Sequence, residues 1–453
     1  MPFYSSASRN EPKNRLLRSI TLACILAILV GCQTSNSPAS PAATTPIRQE
    51  DAEVHLPPET PAGRLAYIGG DGNVYVTAVN DPAPLQLTGD ATTAAEGPGL
   101  SYHRLSWSPD GRLAFAAVTR LSINQASSEL YMVEQPGQPA QLIGRSDSHF
   151  VIYIYWAPVP CPGRPACRRL AYLIEDDEDI SLRLVELEAG QVKNRRVGLG
   201  RPFYFSWAPD GRRMVWHIGG ARRHNDQARI ALHDVEQDQT EILPYPPGLF
   251  MAPAWSPQGR RWLGVSADEK FDQLQTFEAN QPATLTSVLD NHFVFAWSPA
   301  GDQVAYAIRK SNDDPVYGPI HLFDLRTQQS RQLTDTPFRI VAFFWGPDGQ
   351  RIGYLKQVTP DDVWLQWRMY DLVQDRDRGF EAFFPSFHMR FMVGSFNQYA
   401  QSDRFWSPDS RYLVYADRDP KLVERVWLID TWAERGAEPI LVDEGSIGIW
   451  SWN

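Results

Sequence analysis

The chain is 453 residues long and carries 43 basic against 53 acidic side chains, a net charge of −10. A net acidic globule argues against a nucleic-acid binder, which needs a basic footprint. It favours a protein that stays soluble beside an anionic envelope without clinging to it.

The first 31 residues read as a signal peptide. Arg9, Lys13, Arg15 and Arg18 form a basic leader. Ile20 to Val30 is an apolar core too short to span a bilayer as a mature helix. The core ends in Leu29-Val30-Gly31-Cys32, which resembles the lipobox of bacterial lipoproteins. The resemblance implies that Cys32 is diacylated and becomes the mature N-terminus. Residues 32–63 then form the lipidated Cys and a tether rich in Ser, Pro, Ala and Thr, with too few large aliphatics to bury a core. Its root-mean-square reach is on the order of 30 Å.

From residue 64 to 453 the chain is expected to be all β. Trp107, Trp156, Trp207, Trp255, Trp297, Trp345 and Trp406 recur 42 to 61 residues apart. Five open a close variant of W-[SAG]-P-D-[GS], as in Trp107-Ser108-Pro109-Asp110-Gly111 and Trp345-Gly346-Pro347-Asp348-Gly349, with Gln258 in place of Asp after Trp255 and Ser410 in place of Gly after Trp406. Pro presets φ at the second turn position and Gly accepts the positive φ that follows, so each junction is a tight turn. An apolar triplet comes next, such as Leu113-Ala114-Phe115 or Leu413-Val414-Tyr415. An alternating strand and a short polar-edged one complete each unit. A strand-and-turn repeat of this length predicts a β-propeller of four-stranded blades.

Arg64-Leu65-Ala66-Tyr67 is a second-strand triplet with no Trp strand before it, and Ile449 to Trp452 is a first strand with nothing after it. These orphans predict one composite blade closed by pairing of the N- and C-terminal segments. The count expected is eight blades, with seven as the alternative.

The W-S-P-D-G repeat resembles the TolB-like, or PD40, WD40-like β-propeller repeat, and covers roughly residues 64 to 453. It also resembles the propeller of dipeptidyl-peptidase and prolyl-oligopeptidase enzymes. The resemblance is specific for fold and weak for function, because this repeat serves binding, scaffolding and gating proteins alike.

Cys161 and Cys167 flank a hairpin tip where other units carry the tight turn. In an exported chain this spacing predicts a disulfide staple. Catalytic signatures are sparse: there is no G-x-S-x-G, no H-E-x-x-H and no Gly-rich phosphate loop. No stretch outside the repeats is long enough for a hydrolase domain. No catalytic residue, metal site or cofactor is assigned.

Antiparallel blades put the W-x-P-D-G turns at one end and the second-to-third loops, with the inter-blade connections, at the other. The second end varies in every unit, and recognition usually resides on such loops. The candidate partner-binding residues there are Tyr102, His103, His149, Phe203, Tyr204, Arg222, Arg223, Lys270, His292 and Phe293. An aromatic insertion before Trp406, including Phe383-Phe384-Pro385-Ser386-Phe387-His388, reads as a docking flap or a cap on the ring. The expected function is a membrane-anchored, monomeric, non-catalytic scaffold of the cell envelope that recognises a protein partner. The alternative is a propeller lyase or hydrolase acting on polysaccharide with His and Arg at the channel mouth.

Overall fold

The computed structural model describes residues 63–453 except 80–82, 93–98, 123–124, 148–149, 178, 269, 290, 310–315, 336–338, 361–362 and 435. The expected signal peptide, Cys32 and the expected tether up to residue 62 therefore lie outside the described residues. Among the described residues no helix is long and apolar enough to cross a membrane.

Each repeat folds into an antiparallel meander. Six sheets have four strands in sequence order. In the first, for example, Gly99–Trp107, Leu113–Ser122, Gln125–Val133 and Gln141–Ser146 follow one another. The second strands are buried on both faces, as in Arg168–Asp176 and Arg213–Ile218. Blades stacked face to face leave no solvent side there, so the sequence reads as a continuous apolar run rather than an alternation. The fourth strands Gln239–Ile242 and Gln329–Gln332 are exposed throughout.

The seventh sheet corrects the expected count of eight blades to seven. It has six strands, ordered Tyr412–Arg418, Glu424–Asp430, Ile440–Trp450, Arg64–Gly69, Val74–Ala78, Leu85–Gln86. The two end units are not separate sheets because one strand, Ile440–Trp450, serves both. Its first part pairs with Glu424–Asp430, and its second part pairs with Arg64–Gly69, placing Leu65 opposite Trp450.

The repeat Trp residues are inter-blade staples. Trp156 Nε1 donates to the carbonyl of Ser106, Trp207 to Tyr155, Trp297 to Ala254, Trp345 to Ala296 and Trp406 to Phe344. In each case the acceptor is the residue just before the preceding unit's Trp. The indoles of Trp255 and Trp450 are buried without a hydrogen-bond partner among the described residues. At the turns, Gly111, Gly211, Gly259, Gly301 and Gly349 all have positive φ, the conformation that favours glycine. Ser410 takes the same conformation in the last repeat, and its Oγ accepts a bond from the backbone N of Asp348 in the neighbouring blade.

Candidate functional site

The insertion before Trp406 forms two helices, Phe387–Gly394 and Phe396–Ser402. Ser386 caps the first by accepting the Met389 N–H. The helices are seated on the ring, in contact with the first strands of several blades. Tyr153 donates to the Gln398 carbonyl at 3.1 Å, and Tyr399 donates to Ile152 at 2.9 Å. Gln401 reaches the Pro253 carbonyl at 2.9 Å. Phe396 packs edge-on against Phe343, and the Arg104 guanidinium lies 4.1 Å from the Phe391 ring centroid. These partners belong to the first, second and sixth sheets and to the connection between the third and fourth. The helices therefore lie across the middle of the ring.

One small cavity lies beside them. A cavity of about 20 Å³ is lined by Arg104, Ile154, His388, Tyr399, Asp403 and Ile447, room for about one water. Asp403 is 6% exposed and its Oδ1 has no hydrogen-bond partner among the described residues. Burial pushes its carboxyl up to about 8, opposed by a bond from Ser402 and by the charge of Arg104. His388 is pushed down to about 4, by burial and then by Arg104. Its Nδ1 lies 2.8 Å from Ser446 Oγ. Arg104 itself has φ +56, an uncommon conformation for a non-glycine residue.

The candidate residues fall into three groups. Tyr102, Phe203 and Phe293 are 6%, 1% and 0% exposed; they pack the sheets and are not presented to a partner. His103 joins the central cluster, where burial, then Arg104 and His388, hold it well below the ordinary imidazole range. Tyr204 stacks on Phe250 at 4.3 Å, and burial raises its phenol to about 12. His292 lies in the inter-blade connection, its carbonyl accepting the Arg309 N–H. Arg223 is a structural cation. Its guanidinium holds both oxygens of the fully buried Asp272, at 3.1 and 2.7 Å. Arg222 and Lys270 are exposed on the loop-bearing end. His149 lies outside the described residues. The Cys161–Cys167 disulfide is formed across the hairpin tip.

Sequence reasoning passed over Asp403 and His388 as a pair. His388 lies in the first turn of one inserted helix and Asp403 caps the other, where no repeat pattern marks a partner. It also did not find a groove between the sixth and seventh sheets. The groove is about 500 Å³ in volume and is lined by Trp364, Phe384, Tyr415, Asp417, Trp427 and Glu438 among others.

No family model matches the chain, and no curated protein matches it. Solved structures do resemble it. One is TolB from Acinetobacter baumannii, 15% identical, covering 78% of this chain and 82% of that one at a TM-score of 0.39. Another comes from a study of two prolyl endopeptidases, 10% identical at a TM-score of 0.50. That match covers 76% of this chain and 50% of the endopeptidase, so the chain spans half of that protein's length. A third is an oligogalacturonate lyase in complex with manganese, 11% identical, covering 79% and 86% at a TM-score of 0.46. At these identities the likeness concerns fold and not activity. With its tight turns, its stapling Trp residues and its sequential four-stranded sheets, the chain folds as a β-propeller.

Proposed function

We propose that this protein is a lipid-anchored, non-catalytic binding module of the cell envelope, engaging a protein partner through its loop-bearing end. The observation that carries this reading is the filled centre. Propeller enzymes of the alternative kind need a channel mouth open to substrate, with a base and its partner within reach. Here the protein's own helices occupy that space, and the cavity beside them is about 20 Å³. His103 and His388 are held neutral by burial beside Arg104. What remains for a partner is the outer surface of the variable end, where Arg222, Lys270, Lys421 and Leu422 are exposed.

The anchor belongs to the same reading. A lipid on Cys32 followed by a tether to residue 63 would hold the propeller near a membrane while leaving its loops free to search. A disulfide between Cys161 and Cys167 suits an oxidising compartment.

The test is a photo-reactive side chain placed at Arg222 or Lys270 in growing cells, with Asp348 on the opposite end as the comparison. Discrete protein adducts from the first two positions and none from the third are expected. Adducts from Asp348 alone would reverse the face. Turnover of an envelope glycan by the purified protein, lost on His388→Asn, would replace the binding reading with the enzymatic one.

A further inference from the structure

The groove between the sixth and seventh sheets combines aromatic rings with carboxylates. It opens between Trp364, at the end of one second-to-third loop, and Asp419, Pro420 and Leu422 of another, and runs out to Glu438 and Pro439. Its rings are Trp364, Phe383, Phe384, Tyr415 and Trp427. Trp364 is 44% exposed and meets Phe384 edge-on at 6.2 Å. Its carboxylates are Glu381, Asp417, Asp419 and Glu438, against a single lining cation, Arg418. Glu381 and Glu438 are exposed. Asp419 pairs with Arg425 at 3.1 Å, and Asp417 accepts the Trp427 indole N–H at 2.9 Å.

Two observations say what would complement such a surface. The groove already accommodates one guanidinium on its rings, with Arg418 5.0 Å from the Phe384 centroid. In addition, Asp417 is held above the ordinary carboxylate range, by burial first and with the like charge of Asp419 adding to it. Aromatic faces attract cations. Lys and Arg side chains lay their aliphatic stems on rings while their heads reach carboxylates. A groove of about 500 Å³ is within the range of clefts that enclose short ligands.

We propose that this groove docks a lysine- or arginine-bearing extended segment of the protein partner. The proposal rests on the binding reading above and specifies the chemistry of the partner. Neutral glycans also stack on exposed Trp, but they do not call for four carboxylates against one lining arginine.

The experiment uses the full-length protein in detergent and three fluorescent probes: the peptide (Lys-Ala)4, the peptide (Glu-Ala)4 and labelled cellohexaose. Anisotropy should show binding of the lysine peptide alone at low salt. Trp364→Ala should weaken it at least about fivefold, as should the double change Glu381→Gln with Glu438→Gln, and added salt should weaken it further. Glu241→Gln, on the exposed fourth strand Gln239–Ile242 and away from the groove, should not weaken it. Circular dichroism of each variant keeps a folding defect apart from a binding defect. Failure of the lysine peptide to bind, binding indifferent to those substitutions, or preferential uptake of cellohexaose would overturn the proposal. If the lysine peptide fails while adducts at Arg222 and Lys270 persist, only the groove assignment falls. If those adducts are absent while the peptide binds at Trp364, the broader docking face is wrong and the groove stands alone.

Discussion

The indole of Trp107 donates to the carbonyl of Ile449, 342 residues further along the chain. It is the same staple that Trp156, Trp207, Trp297, Trp345 and Trp406 make, used here between the first four-stranded sheet and the strand Ile440–Trp450. Around it, the Ser451 N–H bonds the Arg64 carbonyl, and Trp452 Nε1 bonds the Trp107 carbonyl. We expect this seam to be the ring's lock. Deleting residues 448–453 should lower the melting temperature by well over 10 °C, because an open propeller exposes the apolar faces of two blades. Trp107→Phe should cost about 1–3 kcal/mol by leaving the Ile449 carbonyl unpaired. Calorimetry measures both, and an unchanged melt after truncation would contradict the lock.

Arg223 and Asp272 make a second such test. The pair joins the loop of the third sheet to a strand of the fourth, and the Leu249 N–H also bonds Asp272. Arg223→Ala leaves a buried carboxylate uncompensated and should cost about 3–5 kcal/mol in denaturant unfolding. Arg222→Ala, one residue away and exposed, should stay within about 0.5 kcal/mol. Equal effects would show that the ion pair does not support the fold.

These two arginines illustrate what a sequence shows and what it hides. The W-x-P-D-G turns, the apolar second strands and the Cys161–Cys167 staple were legible because each rests on local chemistry repeated along the chain. Arg222 and Arg223 look alike in sequence. Only the approach of a strand 49 residues away makes one of them structural. The blade count slipped for a similar reason. That Ile440–Trp450 runs unbroken through two units is set by pairing with both Glu424–Asp430 and Arg64–Gly69. The aromatic insertion was visible, but its seat across the ring depends on Tyr153, Phe343 and Arg104 from blades far apart in the chain.

The central cluster predicts a pH signature with opposing arms. Asp403 titrates near 8 in the folded state, above the ~3.9 of an unfolded chain. The folded state therefore binds the extra proton, and stability falls as pH rises from about 4 to 8. His388, near 4 when folded against ~6.5 unfolded, acts the other way: stability falls as pH drops from about 6.5 to 4. Asp403→Asn should flatten the alkaline arm and stabilise the protein above pH 8, while His388→Asn should flatten the acid arm. Thermal melts across pH 4 to 9 check both. An alkaline arm unchanged by Asp403→Asn would assign it to another group.

Lipidation of Cys32 is tested by fractionation and intact mass. Cys32→Ser should lose the acyl mass and move the protein from the membrane to the soluble fraction. A variant still held to membranes to the same extent would mean that something other than the lipid anchors the chain.

The claim that partners dock on the loop-bearing end is tested most directly by association kinetics with the partner identified through the Arg222 and Lys270 adducts. Arg222→Glu with Lys270→Glu should slow association on the order of tenfold at low salt, with the difference shrinking at 0.2 M salt. The melting temperature should stay the same. An association rate unchanged at both salts, or one slowed instead by charge reversal at Asp348 on the turn end, would contradict the account.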